Sequence, residues 1–245
     1  MNNTRPHLLG MLAGLFLAGG LICSAMLVTR AWLKIAESQT VSVTGSARKA
    51  VRADLAVWHG QFSTEGATLL EAQRALKVDL AKVETFLRTN GITNYTVASI
   101  SIQELRARQK GEFDTTEQKT VGYRLSQSVQ VSSPEVERIS RLDRDSTTLV
   151  EQSVVFTTAP LEYIYTKAGE AKVEMLAEAT KDARARAEQI AAHGGRAIDQ
   201  LRAAKMGVFQ ITPVHSLQTH WEGINDTTSL EKTITAVISA SFSMK

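Results

Sequence analysis

A stretch near the start of the chain carries no charge at all. From Pro6 to Thr29 there is no Asp, Glu, Lys or Arg, and Leu8, Leu9, Leu12, Leu15, Phe16, Leu21, Ile22 and Leu27 dominate it. At a rise of 1.5 Å per residue a helix of this length reaches roughly 36 Å, enough to cross a hydrocarbon core about 30 Å thick. Gly10, Gly14, Gly19 and Gly20 would weaken a helix in water but are common in membrane helices. A cleaved signal peptide has a shorter apolar region, about 7–15 residues, followed by a small-residue cleavage site. This run continues through Arg30, Trp32, Leu33 and Lys34, with Trp32 where an interfacial aromatic belongs. Residues 1–37 are therefore expected to be an uncleaved transmembrane anchor with its flanks, and residues 38–245 a separate domain. Cys23 follows the bulky Ile22, which argues against a lipoprotein cysteine and for simple packing in the helix. Arg5 lies before the run and Arg30 and Lys34 after it, so the positive-inside rule does not orient it.

Charge points the same way. The chain has 28 Lys+Arg against 25 Asp+Glu, a formal net charge of +3, and an isoelectric point near 9.0, which invites a nucleic-acid reading. Residues 1–38 hold Arg5, Arg30 and Lys34 against Glu37, leaving 25 basic and 24 acidic residues beyond them. The basicity belongs mostly to the flanks of the apolar run, and no nucleic-acid partner is expected. With one cysteine, an intrachain disulfide and a Cys-based zinc cluster are excluded.

Beyond the anchor the pattern alternates between strands and helices. Residues 40–65 read as two strands in a hairpin, with a basic bend at Arg48, Lys49 and Arg52. Leu69, Ala72, Leu76, Leu80, Val83 and Leu87 recur at helical spacing over 68–88 and stop at Asn90-Gly91, a helix-ending pair. Residues 95–105 form a strand whose apolar phase changes between Val97 and Ile100, which suggests a bulge. Polar residues 106–118 read as a loop. Val121, Tyr123, Leu125, Val129 and Val131 alternate as a half-buried strand. A helix follows from Ser133-Pro134-Glu135, with a cap and an early proline, through Val136, Ile139, Leu142 and Leu149. Residues 154–165 are strand-like, 167–192 form an Ala-rich helix closed by His193-Gly194-Gly195, and strands occupy 198–211 and 230–244. This order predicts an α+β fold, mainly antiparallel, with long helices on one face of the sheet.

Reactive signatures are scarce. The chain lacks G-x-S-x-G, G-x-x-x-x-G-K-[ST], H-E-x-x-H and G-x-G-x-x-G after a strand, which removes large enzyme classes. His215 and His220 share a loop with Trp221, Glu222 and Asp226, the one arrangement from which a metal-dependent hydrolase can be built. Loop histidines at this spacing are more often solvated, and His59 on its strand is expected to point to solvent or to be hydrogen-bonded at a sheet face. His193 suits the C-terminal end of its helix dipole. Arg48, Lys49 and Arg52 fit either anionic lipid head groups or a solvated turn. Lys181, Asp182, Arg184, Arg186 and Glu188 describe a salt-bridged wet helix face. Trp58, Tyr163 and Tyr165 fit a core or a flat subunit interface, with the small Ala236, Ser239 and Ala240 on the last strand. No catalytic, cofactor-binding or metal residue is assigned, and neither a cofactor nor a small-molecule ligand is expected.

The run Val41-Ser42-Val43-Thr44-Gly45, then Ala53-Asp54-Leu55-Ala56, Gly91-Ile92, Gly122-Tyr123 and the helix Ala177–Glu188 before Gly194-Gly195 resemble the SIMPL domain. That bacterial family of periplasmic or membrane-anchored proteins includes the periplasmic immunogenic protein and the oxidative-stress defence protein. Gly207-Val208-Phe209-Gln210-Ile211 and the strand from Lys232 to Phe242 look like the subgroup that keeps an N-terminal transmembrane helix. The resemblance spans about residues 38–245 and implies an α+β fold, export across the inner membrane and homo-oligomers that can be ring-like. It implies no catalytic residues. The expectation is a non-enzymatic bacterial envelope protein, single-pass in the inner membrane with its C-terminal domain in the periplasm, self-assembling and serving envelope or oxidative-stress tolerance. A ring-like pore or scaffold and the loop-histidine hydrolase are the rivals.

Overall fold

The computed structural model describes residues 6–36, 39–110 and 116–245, with side chains over 10–33, 39–107 and 118–245. In chain order the elements are α1 (Pro6–Ala36), β1 (Thr40–Arg52), β2 (Leu55–Gly66), α2 (Leu69–Thr89), β3 (Thr96–Val97), β4 (Ser101–Lys110), β5 (Thr116–Ser133), α3 (Val136–Asp145), α4 (Thr147–Glu151), β6 (Val155–Thr158), β7 (Glu162–Ile164), α5 (Ala168–His193), β8 (Ile198–Met206), β9 (Gln210–Pro213) and β10 (Glu231–Met244). This is an α+β fold with antiparallel sheets behind an apolar N-terminal helix. Two compact units divide it: the described residues of 1–47 with 176–207 and 237–245, and residues 48–175 with 208–236.

In the first unit α1 is long and apolar enough over Gly10–Leu33 to cross a membrane, and none of that segment is buried. Phe16 and Trp32 are 77% and 70% exposed, a surface suited to hydrocarbon and its interface rather than to water. Ala179, Ala183, Ala187 and Ala191 of α5 are buried at four-residue steps, a stripe slim enough to let the helix lie close to β1. At the closest approach a Cβ on Gly45 would lie 2.2 Å from the Ala179 carbonyl oxygen and 2.4 Å from the Ala183 nitrogen. The Ser46 N–H also donates to Asp182 at 2.8 Å. β8 pairs antiparallel with β10 from Ile238–Met206 to Met244–Ile198.

The second unit holds a six-stranded sheet in the order β3-β5-β2-β6, with β4 also on β5 and β7 also on β2. β2 and β5 pair antiparallel from Ala56–Ser133 to Gly66–Tyr123. The two-residue period sends Trp58, Phe62, Leu125, Val129 and Val131 into a core closed by Leu76, Val83 and Leu87 of α2, Ile139 and Leu142 of α3, and Leu149 of α4. Fully burying such a side chain contributes about 1.5–3 kcal/mol. Trp58 is a core residue: its Nε1 donates to Asp143 at 2.9 Å and its ring stacks on Phe156 at 5.8 Å. Thr68 and Glu71 form a capping box at the start of α2, and the helix ends where Gly91 adopts φ 74°, a conformation that glycine reaches without steric cost.

Several local expectations change. Arg48, Lys49 and Arg52 lie within β1, not in a bend; alternation splits them between the two sides of the strand. The turn falls at Ala53-Asp54, where the N–H and hydroxyl of Thr166 donate to the Asp54 carboxylate at 2.7 and 2.9 Å. Of the polar stretch 106–118, residues 106–110 and 116–118 pair as a β4–β5 ribbon, and 111–115 lie outside the described residues. Its described side chains, at 106–107 and 118–120, are exposed, and the stretch shows no apolar alternation. The phase change after Val97 is a break between β3 and β4. The helix expected through Leu149 splits at Ser146, whose hydroxyl donates to the Asp143 carbonyl at 2.6 Å. Its cap also differs: Ser133 Oγ accepts from the Glu135 N–H at 3.1 Å, before the helix begins. The strand over 198–211 is two, β8 and β9, parted at Gly207.

Candidate functional site

Within the second unit, β9 and β10 place Gln210 opposite Thr235 and Thr212 opposite Thr233. Directly opposed residues of an antiparallel pair point to the same face, so these four form one polar surface. β1 neighbours β10 and adds Arg48. Pro213 ends β9, and the chain continues through His215, a non-glycine residue at φ 69°, into a long loop. The loop returns along β9, where the Ile211 N–H donates to the Ile224 carbonyl at 2.7 Å and the Asp226 N–H to the Ile211 carbonyl at 2.9 Å. Between loop and strands lies a cleft of about 520 Å³, walled by Val214–Thr219 and floored by Arg48, Gln210, Thr212, Thr233 and Thr235.

Gln210 is 9% exposed. Its Nε2 donates to the His220 carbonyl at 2.6 Å, which fixes the amide, while Oε1 is buried without a partner. A buried acceptor left unpaired costs about 1–3 kcal/mol, so this atom is the most informative polar group in the cleft.

The loop is tied to β10 by a buried ion pair. Lys232, with a side chain 1% exposed, reaches Asp226, 6% exposed, at 3.1 Å, and its Nζ also donates to the Asp226 carbonyl at 2.5 Å. Burial pushes the Asp226 pKa up. The N–H and hydroxyl of Thr228, the Lys232 ammonium and the Ser229 side chain outweigh that effect and hold it at about 2.

The loop-histidine constellation does not assemble. His220 Nδ1 accepts from the Glu222 N–H at 3.3 Å, its ring tilts against Trp221 at 5.9 Å, and Asp226 is held by Lys232. Among the described residues no group of three or more His, Cys, Asp or Glu side chains is placed to hold a metal ion. The basic cluster is also dispersed: Lys49 pairs with Glu174 at 2.5 Å, and Arg52 with Glu137 and with Glu231 at 3.3 Å. The Glu174 hydrogen bond raises the Lys49 pKa. Arg48 has no such partner among the described residues and faces the cleft. On α5, Arg184–Glu188 at 3.0 Å and Arg186–Asp182 at 2.9 Å form the salt-bridged face that the sequence suggests. His193 Nδ1 lies 2.8 Å from the Gln189 carbonyl, in the last turn of the helix.

Sequence reasoning missed Lys232 and Gln210. Lys232 falls in the same alternation as Ile234, Ala236, Ile238, Ala240 and Phe242, and that register is a signal for a buried lysine. Nothing local marks Gln210, whose burial comes from the distant return of its loop.

An α+β domain of antiparallel sheets behind an apolar helix defines the class. The profile of the SIMPL family, described as a protein of unknown function (DUF541), matches residues 41–242, and the chain belongs to that family. No curated protein matches the chain.

Proposed function

We propose that this SIMPL-family protein is a membrane-anchored envelope protein whose domain beyond residue 38 lies outside the cytoplasm and acts by self-association and binding rather than by catalysis, in the tolerance of envelope or oxidative stress. The carrying observation is α1, whose apolar segment Gly10–Leu33 is entirely unburied. Its length and lack of charge favour a retained membrane span over a removed leader. Self-association finds support at β8, an edge strand of the sheet β1-β10-β8 on which Leu201 and Met206 are 49% and 56% exposed. Exposed strand edges with apolar side chains invite pairing with another chain.

Light scattering coupled to size exclusion of the full chain in detergent tests the self-association. Assemblies of two or more copies per particle are expected, and a strictly monomeric particle overturns it. A deletion strain tests the physiological part: it should lose viability faster than its parent under peroxide or detergent challenge, and equal survival removes that role.

A further inference from the structure

We propose that the cleft between β9, β10 and the loop Val214–Thr219 is a binding site for a small anionic polyol, a sugar acid whose carboxylate meets Arg48 and whose hydroxyls pair with Gln210 and the threonines of the sheet. The site goes beyond the anchored, self-associating reading and stands or falls without it. Three features of the lining select this class.

The first is charge. Among the described residues that line the cleft, Arg48 is the one Lys or Arg, and none is Asp or Glu. Lys49 and Arg52, its neighbours on β1, are paired with Glu174, Glu137 and Glu231, and Arg48 is left to meet a ligand. A guanidinium holds a carboxylate through two parallel N–H donors. With no carboxylate in the lining, nothing would balance a ligand ammonium, and amino acids fit less well than hydroxy acids.

The second is the orphan acceptor. Gln210 Oε1 cannot exchange places with Nε2, because Nε2 is held 2.6 Å from the His220 carbonyl. Oε1 therefore needs a donor. Sulfate and a bare carboxylate have none to give, whereas a hydroxyl next to the acid group has one. Oε1 is closed to solvent in this conformation, so its pairing requires the wall that contains His215 to move outward when a ligand binds. That residue is held at φ 69°, an uncommon backbone conformation of the kind found where segments clamp or release ligands.

The third is the hydroxyl surface. The side chains of Thr212, Thr233 and Thr235 make no hydrogen bond to a described residue, although Thr212 is only 5% exposed. Each hydroxyl can donate and accept, which suits a chain or ring of ligand hydroxyls. Among the described residues no Phe, Tyr or Trp lines the cleft, so a flat base is not what it is built to stack. A volume of about 520 Å³ is in the range of small-molecule sites.

The test uses the full chain in a non-glycosidic detergent, titrated calorimetrically with D-glucuronate, D-glucose and sulfate. Glucuronate should bind saturably, one per chain, and glucose and sulfate each at least about tenfold more weakly. Arg48→Gln should weaken glucuronate by about tenfold or more and leave glucose unchanged, while Thr235→Val should weaken both sugars. Arg48 is exposed and Thr235 half-buried, so both variants should keep the parent melting temperature, measured alongside. Absence of saturation by about 20 mM glucuronate, well above the millimolar affinity of even a weak site, overturns the proposal. So does sulfate binding as tightly as glucuronate, or affinity unchanged in both variants.

Discussion

Asp226→Ala should be among the most damaging single substitutions outside the apolar core. Stripping one partner from a buried ion pair costs about 3–5 kcal/mol, because the other charge stays buried and unpaired. Here the Lys232 ammonium, on a side chain 1% exposed, would keep only the Asp226 carbonyl at 2.5 Å. The Thr228 N–H and hydroxyl, at 2.9 and 2.7 Å, and the Ser229 N–H at 3.3 Å would lose their acceptor as well. Those losses place the cost toward the upper end of the range. At about 2–4 °C per kcal/mol for a chain of 150–250 residues, a cost of about 4–5 kcal/mol should lower the melting temperature by roughly 8–20 °C. Lys232→Met should cost less, since Asp226 keeps its Thr228 and Ser229 donors. The double variant Asp226→Leu/Lys232→Met should recover only the part of the loss that comes from the stranded Lys232 charge, because the Thr228 and Ser229 donors still lack their acceptor. Thermal unfolding of the full chain in detergent, followed by circular dichroism and tryptophan fluorescence, measures all three. A loss below about 1 kcal/mol for Asp226→Ala, the scale of an exposed pair, would refute the assignment of this contact as a buried clamp.

The same carboxylate makes stability depend on pH. Asp226 titrates at about 2 when folded against 3.8 ordinarily, and the folded state binds its proton less readily. Its contribution, on the order of 2–3 kcal/mol, is present above pH 4 and lost as pH falls toward 2. Asp54, held down by Thr166 against the opposing effect of burial, and Asp182, held down by Ser46 and Arg186, add to the same acid limb. Melting temperatures should therefore drop between pH 4 and 2, and Asp226→Asn should flatten the slope; an equal slope in that variant would contradict it. Gly45→Ala should destabilise the first unit by about 1–3 kcal/mol or more, the cost of overpacking. The added Cβ meets α5 backbone atoms at 2.2 and 2.4 Å, which cannot give way as a flexible side chain would, and urea unfolding reads the loss. Trp58→Phe should cost about 1–3 kcal/mol, because Asp143 loses the indole donor at 2.9 Å in a part-buried setting; an unchanged urea midpoint would show that the bond contributes nothing.

Regular alternation and helical spacing were legible where one face of an element is buried. β10 alternates as its sequence suggests, and α2 stops at Asn90-Gly91. The signal failed where burial does not follow period. The outer β4–β5 ribbon, exposed at 106–107 and 118–120, passes for a loop, and the basic cluster of β1 passes for a turn because its partners Glu174, Glu137 and Glu231 are remote in sequence. The cleft was the least visible feature. It depends on the register that sets Gln210 against Thr235 and on a loop whose return is fixed by the Ile211 backbone and the Asp226–Lys232 pair. Each of these is a long-range contact that local pattern does not carry. The histidines of that loop drew attention as possible ligands, yet His220 serves the loop through its carbonyl and Nδ1, and His215 supplies a backbone bend.

The central claim, that α1 is a retained span holding the domain outside the cytoplasm, is tested most directly by protease accessibility combined with intact-mass measurement on the native protein. The protein should stay with the inner membrane after carbonate washing, its mass should include residues 1–37, and the domain should be digested in spheroplasts but not in intact cells. A soluble protein lacking that segment, or a domain still protected in spheroplasts and digested only after the inner membrane is lysed, would contradict it.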